Sequence, residues 1–271
     1  MYYNLISSMK KVVSGGIDSD ATAFITAAGI TDPTQQGAIN TLVLSLKSYG
    51  VWTKIKAIYP MVGGTATTHK YNLKDPRDLD AAFRLTFNGG WTHSSNGATP
   101  NGTTGYANTY LNPVAQSLTS ADAHLSYYAR TAATTVDPAE IANFTDVTTG
   151  FALQSIGELT QNRFFFGYPF RAFKTVTVAA TGFMLGSSSG NSRRDIYNNG
   201  TSVGNNTSVD TSTLGNYNLY IACANYSGTS MASFSNAQCA FASIGNQLTS
   251  TEVANYYTAV QNFNTTLSRQ I

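Results

Sequence analysis

The chain has 271 residues, of which only 11% are charged against a usual share of about a quarter, and its formal net charge is +2. A balance so near zero, with the basic residues dispersed, argues against a nucleic-acid partner. Ser, Thr, Asn, Gly and Tyr are abundant, which suits close-packed assemblies and sugar-facing surfaces, and the length allows one large all-β domain with helical attachments.

Residues 1–50 read as helical. Leu5, Ile6, Met9, Val12 and Val13 line one face of a short helix that ends near Gly15-Gly16. Asp18 or Asp20 caps a second over residues 21–28, stopped by Gly29. The third has Asp32 as N-cap, Pro33 in the first position, and an apolar stripe of Ile39, Leu42, Val43 and Leu46 before Gly50. Three short helices of this kind are expected to lie on a sheet, as a lid, or on a neighbouring subunit, as a docking region.

From Val51 the period changes to that of strands. Trp52, Ile55, Ala57 and Tyr59 lead into a turn at Pro60 to Gly64. A strand over 83–87 turns at Asn88-Gly-Gly90 and is expected to pair with 91–95 as a hairpin. Residues 97–105 read as a Gly/Asn/Thr loop, and 106–110 as a short strand. Further strands are expected over 123–129, 148–156, 163–166 and 175–184, then a loop over 186–191 and a hairpin over 194–203 turning at Asn199-Gly200. Leu219, Ile221 and Cys223 alternate with Tyr220, Ala222 and Ala224, followed by strands at 231–235 and 238–244. Thr249 and Glu252 form a capping box. Behind it Val253, Tyr256, Tyr257, Val260, Phe263 and Leu267 share one helical face. About a dozen short strands with frequent turns predict a mainly β, two-sheet antiparallel sandwich over residues 51–271.

Two stretches carry resemblances. The closing strand, loop and capped amphipathic helix of residues 215–271 resemble the end of laminin-G-like domains, which are concanavalin A-like jelly rolls. Trp52-Thr-Lys-Ile-Lys-Ala-Ile-Tyr-Pro-Met-Val-Gly-Gly, His69-Lys-Tyr-Asn-Leu-Lys-Asp-Pro-Arg-Asp and Phe87-Asn-Gly-Gly-Trp-Thr-His-Ser-Ser-Asn-Gly are similar to bacteriophage structural proteins, tail- or capsid-associated, that carry such a module. So is Asn101-Gly-Thr-Thr-Gly-Tyr. The resemblance implies a virion location and other virion structural proteins as partners. It supplies no catalytic residues. A symmetric homo-oligomer, with residues 1–50 docking on the particle, is expected, and a host-surface glycan is a further expected partner.

Glycoside hydrolysis needs two carboxylates held roughly 5–10 Å apart. The three glutamates, Glu140, Glu158 and Glu252, stand far from such a pattern, and Glu252 is taken by its capping box, so no enzyme is expected. Asp75, Asp78 and Asp80 form the one acidic cluster. Ca2+ would be its metal, and a charge-balanced turn with Arg77 and Lys74 is the other reading. His69, His93 and His124 are scattered. A sugar site instead needs an exposed aromatic face bordered by amides. Trp91, Tyr106 and Tyr110 with Asn96, Asn101 and Asn108 are the candidates, set against a core role for Trp91 and Tyr110. Cys223 and Cys239 read as buried small hydrophobes, with a disulfide as the alternative. Neither a secretory leader nor a membrane-length apolar run is visible, so synthesis in the host cytoplasm without membrane insertion is expected.

Overall fold

The computed structural model describes residues 16–146, 149–156, 161–166, 176–177, 180–207 and 213–271. The helix expected over residues 5–13 lies outside them, as does Glu158. Asp18, not Asp20, caps the first described helix, α1 (Ser19–Ala28), and Gly29 closes it at φ 64°. Asp32 accepts from the Gln35 amide at the head of α2 (Pro33–Ser48). Then come β1 (Ile55–Tyr59), α3 (Ala66–His69), β2 (Thr86–Asn88), β3 (Trp91–Ser94), β4 (Gly97–Pro100), β5 (Tyr106–Asn108) and β6 (His124–Ala129). The chain continues through β7 (Ile141–Phe144), β8 (Gly150–Ile156), β9 (Gln161–Phe166), β10 (Val176–Thr177), β11 (Gly182–Ser188), β12 (Arg194–Asn198) and β13 (Thr201–Asn206). It closes with β14 (Tyr220–Ile221), β15 (Ala224–Tyr226), β16 (Ser230–Ala232), β17 (Cys239–Gly245) and α4 (Ser250–Thr266).

The strands form two stacked sheets. The eight-stranded sheet has the order β13-β12-β11-β6-β17-β4-β3, with β1 on the other end of the β17 edge that β4 begins. The nine-stranded sheet runs β10-β9-β8-β7-β14-β5-β2, with β15 on β7 and β16 on β15. Almost all pairing is antiparallel, as a jelly-roll sandwich requires; β15 on β7 is parallel. The expected mainly β sandwich is therefore the observed fold.

Alternation assigns each strand to two cores at once. Tyr127 on β6, Met184 on β11 and Ala242 on β17 face the second sheet and join Leu153, Ile141 and Ile221 in the inter-sheet core. Their neighbours Tyr128, Phe183, Leu185 and Phe241 face outward, into a second core made with the helices. There α1 and α2 contribute Phe24, Ile39, Leu42, Val43 and Leu46, and α4 contributes Val253, Tyr256, Val260 and Phe263. So β6, β11 and β17 are buried along their whole length. The Phe183 and Tyr256 rings meet edge-on at 5.3 Å, the favoured aromatic geometry. The described part of residues 1–50 thus lays its stripe over the outer face of the eight-stranded sheet, next to the C-terminal helix.

Several local expectations are corrected. Residues 83–87 and 91–95 do not form a hairpin: β2 pairs with β5 in one sheet, and β3 with β4 in the other. Gly89-Gly90 crosses between the sheets, and a Cβ on Gly89 would lie 2.0 Å from the Thr104 carbonyl oxygen. The strand expected from Phe83 begins only at Thr86, because Phe83 takes a left-handed φ of 61°. Residues 97–100, read as loop, are β4; Gly97 is required there because a Cβ would meet the Cys239 carbonyl oxygen at 2.1 Å. Gly186 to Ser188 extend β11 instead of forming a loop. The alternation over 218–224 breaks at Ala222, whose φ of 69° flips the chain, so Ala222 joins Leu219 and Ile221 in the core. Cys223 and Cys239 are both buried, free thiols.

Candidate functional site

At one edge of the nine-stranded sheet, β2, β5 and β14 lie side by side. Thr86 and Asn88 stand opposite Asn108 and Tyr106, and Tyr220 stands opposite Asn108 on the other flank. Phe87, Ala107 and Ile221 point into the inter-sheet core, so their neighbours Thr86, Asn88, Tyr106, Asn108 and Tyr220 point away from it. All five are half-exposed. The Tyr106 and Tyr220 rings stack, with centroids 4.9 Å apart and planes 20° from parallel.

Tyr110 completes the ledge. Its φ of 55° turns the chain, its amide donates to Asn108 Oδ1 at 2.8 Å, and its hydroxyl lies 3.0 Å from Thr86 Oγ1. Burial raises the Tyr106 and Tyr220 phenols above their usual range, so both keep their protons near neutrality and can donate or accept. No charged residue is among these six. A stacked aromatic pair with two amides and a third phenol on the same face of the sheet makes a surface that can contact sugar C–H groups and hydrogen-bond their hydroxyls.

The sequence candidates divide. Tyr106, Asn108 and Tyr110 meet on this ledge. Trp91 does not: it is packed against the inter-sheet core, meets Phe87 edge-on at 5.1 Å, and donates through Nε1 to the carbonyls of Asn88 and Tyr106. It supports the ledge from beneath. Asn96 sits at the exposed tip of the β3–β4 turn. Asn101 organises its own loop, with Oδ1 accepting from the amides of Thr103, Thr104 and Gly105. Tyr220, absent from the sequence candidates, carried a legible signal: it alternates with Leu219 and Ile221, so it had to leave the core.

Asp75, Asp78 and Asp80 are spent in ion pairs. Asp75 holds Arg77, Asp78 holds Lys70 at 2.6 Å and Arg84 at 3.1 Å, and Asp80 holds Arg84 at 2.8 Å. These partners pull the Asp75 and Asp78 carboxyls below their usual range. Among the described residues no group of three or more His, Cys, Asp or Glu could hold a metal ion. His69 and His93, scattered in sequence, come together with Nδ1 atoms 2.9 Å apart, and burial pushes His69 down to about 3. Glu252 performs its capping-box role and pairs with Lys54 at 2.7 Å. Glu140 is fully buried and accepts from the amide and hydroxyl of Ser155 and the hydroxyl of Ser235.

No family profile matches the sequence, and neither does any curated protein. Solved structures do. A Trypanosoma rangeli sialidase mutant with trans-sialidase activity aligns with a TM-score of 0.52 at 11% identity, over 83% of this chain and 39% of that one. Botulinum neurotoxin type C, whose cell entry depends on interaction with two ganglioside molecules, aligns with a TM-score of 0.51 at 8% identity, over 79% of this chain and 53% of that one. The chain has a lectin-like β-sandwich fold. It spans about two-fifths of the sialidase and about half of the neurotoxin chain, and identities this low speak for fold alone. Domain 4 of the arabinanase AbnA from Geobacillus stearothermophilus also aligns, with a TM-score of 0.48 at 13% identity, over 75% of this chain and 98% of that one. Among the described residues, no helix is long and apolar enough to cross a membrane.

Proposed function

We propose that this sandwich is a non-enzymatic glycan-binding module whose contact surface is the tyrosine ledge of β2, β5 and β14. The observation that carries it is the Tyr106–Tyr220 stack, bordered by Asn88, Asn108, Tyr110 and Thr86, all half-exposed on the outer face of the nine-stranded sheet. The fold neighbours support it, one being a sialidase and the other a toxin that engages gangliosides. A binding role is further supported by the carboxylates: Glu140 and Glu252 serve structural bonds, and the three clustered aspartates neutralise cations. On a glycan array, the full chain should bind a defined glycan class, and Tyr106→Ala or Tyr220→Ala should weaken that binding about tenfold or more, ~1.4 kcal/mol. Unchanged binding in both variants would remove the ledge as the site. Turnover of a bound polysaccharide would instead mark an enzyme.

A second reading places the module on a phage particle. The sequence resemblance of residues 51–113 favours it, and so do two exposed apolar residues of the N-terminal segment, Ile17 and Leu44, at 49% and 48% exposure. Leu44 lies on the solvent side of α2, opposite its buried stripe. The Leu44→Asp variant should fold with an unchanged melting temperature and fail to join particles. Normal incorporation of that variant would exclude α2 as the docking face.

A further inference from the structure

Next to the tyrosine ledge lies an open cleft of about 260 Å³, lined by Thr67, Lys70, Arg84, Thr86 and Phe87 among others. Its walls are tied together by the Leu85 amide, which donates to the Lys70 carbonyl at 2.7 Å. Thr86 belongs to both features: it lines the cleft, and its hydroxyl meets that of Tyr110 on the ledge. The lining holds two cations and no carboxylate. The aspartates that pair with those cations stand further out, with Asp78 and Asp80 side chains 45% and 52% exposed against 20% for Lys70 and 31% for Arg84. They fix the two cations in place from outside the lining, and the Tyr71 ring, 5.2 Å from Lys70 Nζ, does so from another side. Arg84 uses Nε and Nη1 on the aspartates, which leaves further guanidinium N–H groups for a ligand.

We propose that this cleft seats the carboxylate of an acidic sugar while the adjoining tyrosines hold the neutral sugar next to it, so that the preferred ligand is an acidic oligosaccharide. The inference rests on the ledge being a glycan surface. A carboxylate accepts from Arg84 and Lys70 through charge-assisted bonds, whereas a neutral sugar gains only the ledge contacts.

The test measures affinity of the full chain by calorimetry for two matched pairs: 3′-sialyllactose against lactose, and trigalacturonate against its methyl ester. In at least one pair the acid form should bind about tenfold tighter, with the gap shrinking between roughly 50 and 500 mM salt. The pair that shows the gap tells whether a sialate or a uronate is read. Arg84→Gln should close the gap. Asp78→Asn, which removes an anion competing for the same cations, should widen it, a gain that loss of structure cannot produce. Equal affinities for acid and neutral forms in both pairs, or a gap that survives Arg84→Gln, would overturn the cleft assignment and leave the ledge standing. Absence of binding to every probe, or binding indifferent to Tyr106→Ala, would remove the ledge reading and the cleft with it.

Discussion

Replacing Glu140 by glutamine should stabilise the protein above neutral pH and leave it little changed in acid. The carboxyl is fully buried with no cation among its hydrogen-bond donors in the described residues, and burial pushes it up to about 7 although Ser155 and Ser235 donate to it. The unfolded chain releases this proton near pH 4.5, while the folded chain keeps it until about 7. Below pH 4.5 both states hold the proton and the full stability is present. Between 4.5 and 7 the folded state binds more protons, so stability falls as pH rises, and by pH 7 the loss is about 3 kcal/mol. Glutamine mimics the protonated acid: its oxygen can accept from the Ser155 amide, and its NH2 can donate to the serine hydroxyls. The difference in stability between the variant and the parent should therefore be flat in acid, rise between pH 4.5 and 7, and level off above. At about 2–4 °C per kcal/mol, the plateau corresponds to several degrees of melting temperature.

The comparison must be a difference between two proteins, because His69 and His124 act in the opposite sense. Burial lowers them to about 3 and about 4, so stability is complete above 6.5 and is lost as pH falls through those values. A difference curve with no inflection between pH 4.5 and 7 would show that Glu140 ionises alike in both states.

Arg269→Ala should be the most damaging single change near the C-terminus. The guanidinium is wholly buried, with no carboxylate partner among its hydrogen bonds. Nη1 donates to the Met61 carbonyl at 2.7 Å, Nη2 to those of Pro60 and Ala240 at 2.6 and 2.9 Å, and Nε to Asn264 Oδ1 at 2.8 Å. One side chain thereby fastens the residues after α4 to the end of β1 and to β17. Truncation orphans buried acceptors on three segments, and a cost of about 3–5 kcal/mol is expected. Arg269→Lys should recover only part of it, since an ammonium lacks the planar fork that reaches several carbonyls at once. Thermal melts of both variants decide: an alanine variant within about 1 kcal/mol of the parent would show that the acceptors find other donors.

What the sequence disclosed follows from range. Caps and turns are set by neighbours, so Asp32, the Thr249–Glu252 box and the Asn199-Gly200 turn could be read directly, and so could the strands over 123–129 and 238–244. Which strands pair is set by residues far away. Nothing between Thr86 and Ser94 says that two adjacent strands separate into different sheets; that is seen only in their partners, β5 for β2 and β4 for β3. Trp91 looked like a platform because a tryptophan beside a polar loop fits either role, and only its contact with Phe87 decides. Arg269 lies among polar residues near the chain end, and its acceptors are backbone carbonyls roughly 30 and 200 residues away, which no pattern encodes.

The helical layer over the eight-stranded sheet has a consequence for biosynthesis. α1 and α2 leave the ribosome before any strand of the sandwich, but the helix they pack beside follows roughly 200 residues later. At about 5–20 residues per second, Phe24, Leu42 and Leu46 wait some 10–40 s for α4. Throughout that interval the nascent chain displays an oily stripe that chaperones can grip. Closure of the layer then becomes a late event, joining helices that lie on either side of the whole sandwich in the chain.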